Sequence, residues 1–103
     1  MAALKITKEN FQQEVMESTK PVLLDFFATW CGPCKMVGPI LEQIAEEHPE
    51  IKVCKIDVDQ EQELAASFQV MSIPSLFVIK EGKVTNQAVG ARSKKQLLAM
   101  IEE

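Results

Sequence analysis

Apolar residues occur along the chain either in short continuous runs or at helical spacing. Nearly continuous runs, rich in β-branched residues, predict strands that are buried on both faces of a sheet. They cover residues 22–28, 51–58 and 75–80. A fourth run at 83–89 follows Glu81-Gly82, a typical tight turn, and so predicts an antiparallel hairpin with the third.

Helical spacing predicts a long helix over residues 32–48 and a final helix after Gly90. Pro39 lies inside the long helix, where the missing backbone hydrogen bond predicts a kink. Ser93 and Gln96 have the spacing of a capping box, which marks the start of the final helix.

Two shorter helices are predicted with less regular patterns. Thr7 is expected to cap the first, which carries apolar residues at positions 11 and 15. Asp59, with Gln62 three residues later, resembles a capping box for the second, which is expected to run through Phe68.

The resulting order is βαβα followed by ββα. The first half requires a right-handed parallel crossover, and the second adds an antiparallel hairpin. We therefore predict one α/β domain over residues 1–103, with a central mixed β-sheet flanked by helices on both faces. Functional sites in such sheets gather at the carboxyl ends of strands.

Composition excludes several classes of partner. The chain is 47% apolar and 25% charged, with a net charge of −4 and interspersed signs. These values are typical of a globular domain and argue against nucleic acid or an anionic membrane as a partner. The N-terminal segment has no signal-peptide pattern, and three cysteines are not a disulfide framework. We expect a monomer in the reducing cytoplasm.

Two cysteines, Cys31 and Cys34, lie where the first long strand passes into its helix. Such a pair could be half of a metal site, a structural staple or a redox couple. A zinc site with His48 and Cys54 would need all four ligands on one ion, but Cys34 and His48 are separated by roughly 20 Å of helix. We expect no metal; His48 is interpreted as a solvated helix-end residue and Cys54 as an inert buried thiol.

Helix geometry favours the redox couple. Residues i and i+3 have Cα atoms about 5 Å apart, which permits an unstrained disulfide. Cys31 would lie at the helix N-terminus, where the dipole favours a thiolate, and Pro33 suits the first turn. The hypothesis is that Cys31 is an exposed nucleophile and Cys34 a buried resolving thiol.

The segment Trp30-Cys31-Gly32-Pro33-Cys34-Lys35 resembles the active-site motif of the thioredoxin family, and the likeness covers almost the whole chain. Further similar segments lie at 22–28, 55–59, 73–75, 81–82 and 89–90. The resemblance implies the thioredoxin fold, with a catalytic Cys31–Cys34 disulfide and Gly32 and Pro33 as parts of the active site.

Two charged residues stand inside apolar strands. Asp25 should have a raised pKa because a buried, unpaired carboxylate is costly. The resemblance implies that Asp25 exchanges a proton with Cys34 and that Lys55 approaches Asp25 and tunes its pKa. The alternatives are a structural buried acid for Asp25 and an outward-facing residue on the sheet edge for Lys55.

A substrate surface is expected around the cysteines. Trp30 follows the strand and is predicted to be exposed, as a docking residue. Pro74 would be a strand-boundary proline on local sequence alone; the resemblance implies a cis bond facing the cysteines, with the Ile73 backbone binding an extended substrate segment. Gly90 is predicted to allow close backbone approach at the rim.

We therefore predict a protein-disulfide reductase that acts through a Cys31/Cys34 couple. The expected partners are disulfide-containing target proteins and a thioredoxin reductase, with NADPH as the electron source and no tightly bound cofactor. Two alternatives remain open: a disulfide oxidase or isomerase of the same fold, and a redox-switched binding subunit. Gly32-Pro33 argues against the first, because related oxidising proteins usually place a histidine there.

Overall fold

The computed structural model describes residues 2–103, which form a five-stranded sheet with helices on both faces. The strands are β1 (Leu4–Lys5), β2 (Val22–Phe27), β3 (Lys52–Asp57), β4 (Ser75–Lys80) and β5 (Lys83–Val89). The helices are a π-helix (Gln12–Met16), α1 (Gly32–Glu47), α2 (Gln62–Ser67) and α3 (Lys94–Glu102). The strand order is β1-β3-β2-β4-β5.

The predicted α/β architecture is confirmed, because β2 pairs with β3 in parallel and with β4 in antiparallel orientation. The hairpin of β4 and β5 is also confirmed, and both turn residues, Glu81 and Gly82, have positive φ angles of 52° and 77°. Such angles favour glycine and suit a tight hairpin turn. α1 continues through Pro39 without a break, and the predicted kink stays a prediction.

β1 was not predicted from the sequence. Its two residues pair in parallel with Cys54 and Lys55 of β3, and Ile6 N–H extends this ladder to the Lys55 carbonyl at 2.9 Å. Two residues are too few to show strand periodicity, so only the tertiary pairing defines this element.

Both caps predicted for the shorter helices are wrong. Thr7 uses its backbone N–H to donate to Asn10 Oδ1 at 2.7 Å, and the helical segment is a π-helix that begins after Phe11. At α2 the turn is organised by Asp57, whose carboxylate accepts the N–H groups of Asp59 and Gln60. Short polar side chains stabilise turns as readily as helix starts, so a spacing pattern alone does not separate the two.

The sheet separates two apolar layers. Successive residues of β2 point to opposite faces of the sheet: Leu23 lies in one layer and Leu24 in the other. The first layer packs against α1 and α3, and the second against the π-helix and α2. The predicted capping box at Ser93 and Gln96 is confirmed at the start of α3. Asp25 and Lys55 lie on the α1 side, since they follow Leu23 and Val53 at a two-residue spacing.

Candidate active site

The end of β2 and the start of α1 position the cysteine pair. Cys31 is the N-cap residue of α1, with φ −84° and ψ 116°, and its sulfur accepts the backbone N–H of Cys34 at 3.3 Å. Gly32 and Pro33 form the first turn, where a proline removes an N–H that would have no helical partner. The predicted placement of Cys31 at the helix mouth is confirmed.

Cys31 and Cys34 are joined by a disulfide, with Cα atoms 5.3 Å apart. This agrees with the separation expected for i and i+3 on a helix. The predicted difference in exposure is wrong for this oxidised form: Cys31 is 4% exposed and Cys34 6% exposed. Both sulfurs belong to a small apolar cluster with Ala28, and side chains distant in sequence, such as Ile73, cover it.

The remaining cysteine and the histidine lie elsewhere. His48 is the C-cap residue of α1, which agrees with the predicted helix-end position. Its Nδ1 is 2.9 Å from Glu50 Oε2. Cys54 is buried under the opposite face of the sheet, and burial raises the pKa of its thiol to about 12. Within residues 2–103, no cluster of three or more potential metal-binding side chains occurs.

Asp25 is 3% exposed, and no protein group in residues 2–103 hydrogen-bonds to its Oδ1. Burial raises the pKa of Asp25 from 3.8 to about 7, while the positive charge of Lys55 opposes this rise. The predicted rise in the Asp25 pKa is therefore confirmed. A cavity of about 280 Å³ is lined by both Asp25 and Cys34, which gives the acid and the deeper sulfur a common space.

Lys55 is the register partner of Asp25 on β3 and lines the same cavity. It is half-buried, and β3 lies between β1 and β2 rather than at the sheet edge. The alternative of an outward-facing edge residue for Lys55 is therefore wrong.

The segment just before β4 also contributes to the site. The Ile73–Pro74 peptide bond is cis, as the family resemblance implied. Ile73 packs on the cluster that contains both sulfurs. Gly90, with φ 94°, donates its N–H to the Pro74 carbonyl at 2.8 Å, so it lies beside the cis peptide. The close backbone approach predicted at Gly90 stays a prediction.

Trp30 is 68% exposed, as predicted, and its position is fixed by a hydrogen bond. Its Nε1–H donates to Asp59 Oδ2 at 2.8 Å. Sequence reasoning assigned Asp59 to a helix cap and missed this role, since the two residues are 29 positions apart and no local pattern connects them.

A family model described as Thioredoxin matches residues 2–103. The chain belongs to the thioredoxin family. Among curated relatives, "Thioredoxin" of Mycobacterium tuberculosis strain H37Rv is 48% identical over 103 residues, covering 99% of this chain and 89% of the relative. "Thioredoxin" of Pseudomonas aeruginosa is 40% identical over 100 residues, covering 96% of this chain and 93% of the relative.

This thioredoxin-family protein is a thiol–disulfide oxidoreductase with protein-disulfide reductase activity. A further relative in Mycobacterium leprae is named "Bifunctional thioredoxin reductase/thioredoxin"; it is 48% identical over 96 residues, which cover 92% of this chain and 21% of that protein. Across residues 2–103, every helix is too short or too polar to cross a membrane.

Proposed function

We propose that Cys31 is the nucleophile and Cys34 the resolving thiol in the reduction of target disulfides. The Cys31 thiolate attacks one sulfur of the target, forming a mixed disulfide and releasing the other target sulfur as a thiolate. The Cys34 thiolate then attacks Cys31 Sγ, which forms the Cys31–Cys34 disulfide and releases the second target sulfur. Two electrons pass from the cysteine pair to the target.

The N-terminus of α1 supports this order of attack. Cys31 is the N-cap of a 16-residue helix, where the dipole and unpaired N–H groups stabilise negative charge. The N–H of Cys34 already points at Cys31 Sγ. Cys34 receives no such help from its own position one turn into the helix, so it needs a base.

Asp25 supplies that base in our proposal. The carboxyl group and Cys34 line one cavity, and a pKa of about 7 allows Asp25 to accept and return a proton near neutral pH. Lys55, in the same cavity, holds the Asp25 pKa below the value that burial alone would give. The test is the rate at which Cys34 attacks the mixed disulfide, measured against pH in Asp25→Asn. If Asp25 had a purely structural role, the pH dependence of this rate would be the same in the variant and the parent.

The target segment is proposed to bind beside the disulfide. Trp30 and Ile73 line an apolar cavity of about 410 Å³ next to the sulfurs. The backbone of Ile73 is proposed to pair in a strand-like manner with an extended segment of the target. The Pro74 carbonyl accepts the Gly90 N–H, which holds this segment in place. Trp30→Ala should therefore lower kcat/KM for a folded protein disulfide more than for a small aliphatic disulfide.

The recycling reductase is proposed to draw its electrons from NADPH, and the protein to act as a cytoplasmic monomer on disulfide-containing proteins. The fused Mycobacterium leprae relative supports a reductase partner. The interspersed charges and the net charge of −4 support the absence of nucleic-acid and membrane partners.

One observation supports Cys31 as the nucleophile and Cys34 as the resolving thiol. Cys31 is the N-cap residue of α1, and Cys34, one turn into the helix, is joined to it by a disulfide. Cys34→Ser should trap a target through Cys31 as a stable mixed disulfide, whereas Cys31→Ser should trap far less. Equal trapping by both variants would overturn the assignment.

Two measurements address the alternative functions. A redox potential in the range of disulfide oxidases would favour an oxidase or isomerase. Full biological activity of the Cys31→Ser/Cys34→Ser double variant would favour a redox-switched binding subunit. Insulin reduction coupled to a reductase and NADPH should be lost in that double variant.

A further inference from the structure

One carboxylate on α1 holds the N-terminal segment of the chain. Glu42 Oε1 accepts the backbone N–H of Ala2 at 2.9 Å and that of Ala3 at 3.2 Å. These contacts join positions about 40 residues apart, so they are tertiary links rather than part of a local turn.

The tethered segment is fixed at both ends. Beyond Ala3, the chain enters β1, which pairs with β3. Ala3 itself is 8% exposed and belongs to the apolar layer shared by the sheet and α1. The segment therefore connects the edge of the sheet to α1, and its position depends on Glu42 at one end and on β3 at the other.

Ala3 and Glu42 both line the cavity of about 280 Å³ that contains Asp25, Lys55 and Cys34. The cavity lies among β2, β3, α1 and this segment, since those elements carry the residues that line it. The other lining residues lie on β2, β3 and α1, whereas Ala3 lies outside any strand or helix and its backbone is held by the Glu42 carboxylate.

We propose that Glu42 is a positioning residue for the Asp25 site. By tethering Ala2 and Ala3 it keeps the N-terminal segment in place as a wall of the cavity, and so limits the water that reaches the Asp25 carboxyl group. The expected effect of Glu42 on catalysis rests on the proposed proton transfer by Asp25. The expected effect of Glu42 on the surroundings of Asp25 does not depend on that proposal.

The charged side chains that line this cavity beside Asp25 are Lys55 from β3 and Glu42 from α1. Cys34 from α1 also lines it, but in the oxidised protein its sulfur is in the disulfide and does not titrate. Releasing the segment admits water and reduces the desolvation of Asp25, which lowers its pKa. Burial and the charge of Lys55 set the Asp25 pKa, and the charge of Glu42 is not among its causes. A substitution that removes the charge but keeps the tether therefore separates the wall from any direct effect of charge.

Glu42→Gln removes the charge but keeps an oxygen that can accept both N–H groups, whereas Glu42→Ala removes charge and tether together. In the oxidised protein, the Asp25 pKa is measured directly from the NMR titration of its carboxyl carbon. We expect Glu42→Ala to lower this pKa by about one unit and Glu42→Gln, which keeps the tether, to leave it nearly unchanged. Glu46→Ala and Glu46→Gln are matched controls, one turn further along α1 and exposed, and should leave it unchanged.

Hydrogen exchange of the Ala3 amide reports the tether independently: it should accelerate in Glu42→Ala and stay slow in Glu42→Gln. Equal shifts of the Asp25 pKa in the two Glu42 variants would show that charge alone acts and would overturn the inference. An unchanged Asp25 pKa in Glu42→Ala would overturn it as well.

Catalysis supplies a separate measurement. If Asp25 moves the proton, the acid limb of the pH profile of disulfide reduction should shift in Glu42→Ala by the same amount as the NMR titration. Asp25→Asn should abolish that difference between Glu42→Ala and the parent. An NMR shift without a change in the pH profile would support the wall function of Glu42 and contradict the proposed role of Asp25.

Discussion

Replacing Asp25 by asparagine should stabilise the oxidised protein, and the gain should depend on pH. Asp25 is buried, and its Oδ1 is without a hydrogen-bond partner among the described residues. Asparagine has nearly the same size and shape but carries no charge to desolvate. The variant therefore resembles the protonated form of Asp25 at every pH.

The magnitude follows from the Asp25 pKa. A rise from 3.8 to about 7 corresponds to about 4 kcal/mol, because each pKa unit is worth about 1.4 kcal/mol. Below pH 3.8 the carboxyl is protonated in both the folded and the unfolded state. Between pH 3.8 and about 7 the folded state keeps a proton that the unfolded state has lost, so the free energy of unfolding falls as pH rises through this window.

The assay is denaturant unfolding of the oxidised protein at pH 4, 6 and 8.5, with the parent, Asp25→Asn and the exposed control Glu63→Gln. We expect Asp25→Asn to exceed the parent by less than about 1 kcal/mol at pH 4 and by about 4 kcal/mol at pH 8.5. Glu63→Gln should follow the parent throughout. A gain that is constant across the three pH values would refute the assignment of the cost to ionisation of Asp25.

Three further predictions concern stability and reactivity. Leu97→Ala removes a fully buried side chain where α3 packs on the sheet and should cost about 2–5 kcal/mol of unfolding free energy by denaturant melts; exposed Leu4→Ala should cost far less, and an equal loss would contradict this packing. Ser93→Ala removes the capping box of α3 and should cost about 1 kcal/mol, with Ser93→Gly closer to the parent. Cys54, whose thiol pKa is raised to about 12, should resist iodoacetamide at pH 8 in the folded protein but react after unfolding; rapid labelling of the native form would disprove its burial.

Much of the fold follows from local patterns. The bounds predicted for β4 and β5 agree with the structure, since both runs are bordered by clear turn residues. The Cα separation of Cys31 and Cys34 follows from helix geometry alone. These features depend on residues that are close in sequence, where hydrophobic spacing and backbone geometry leave few choices.

Features that depend on distant contacts were harder to predict. β1 has two residues and exists through its pairing with β3. The buried cluster that contains Cys31 is packed against by Ile73, about 40 residues away, and by Val58, so its burial depends on contacts distant in sequence. The cis bond before Pro74 was implied only by the family resemblance, because cis is the minority state of any X–Pro bond.

The burial of Cys54 beneath the far side of the sheet limits how the molecule can react under oxidative stress. In the proposed mechanism, Cys31 becomes linked to another molecule; the sheet keeps Cys54 away from that bond, whereas Cys34 lies within bonding distance of Cys31. Scrambled intramolecular pairings are thus avoided by geometry, although the chain contains an odd number of thiols.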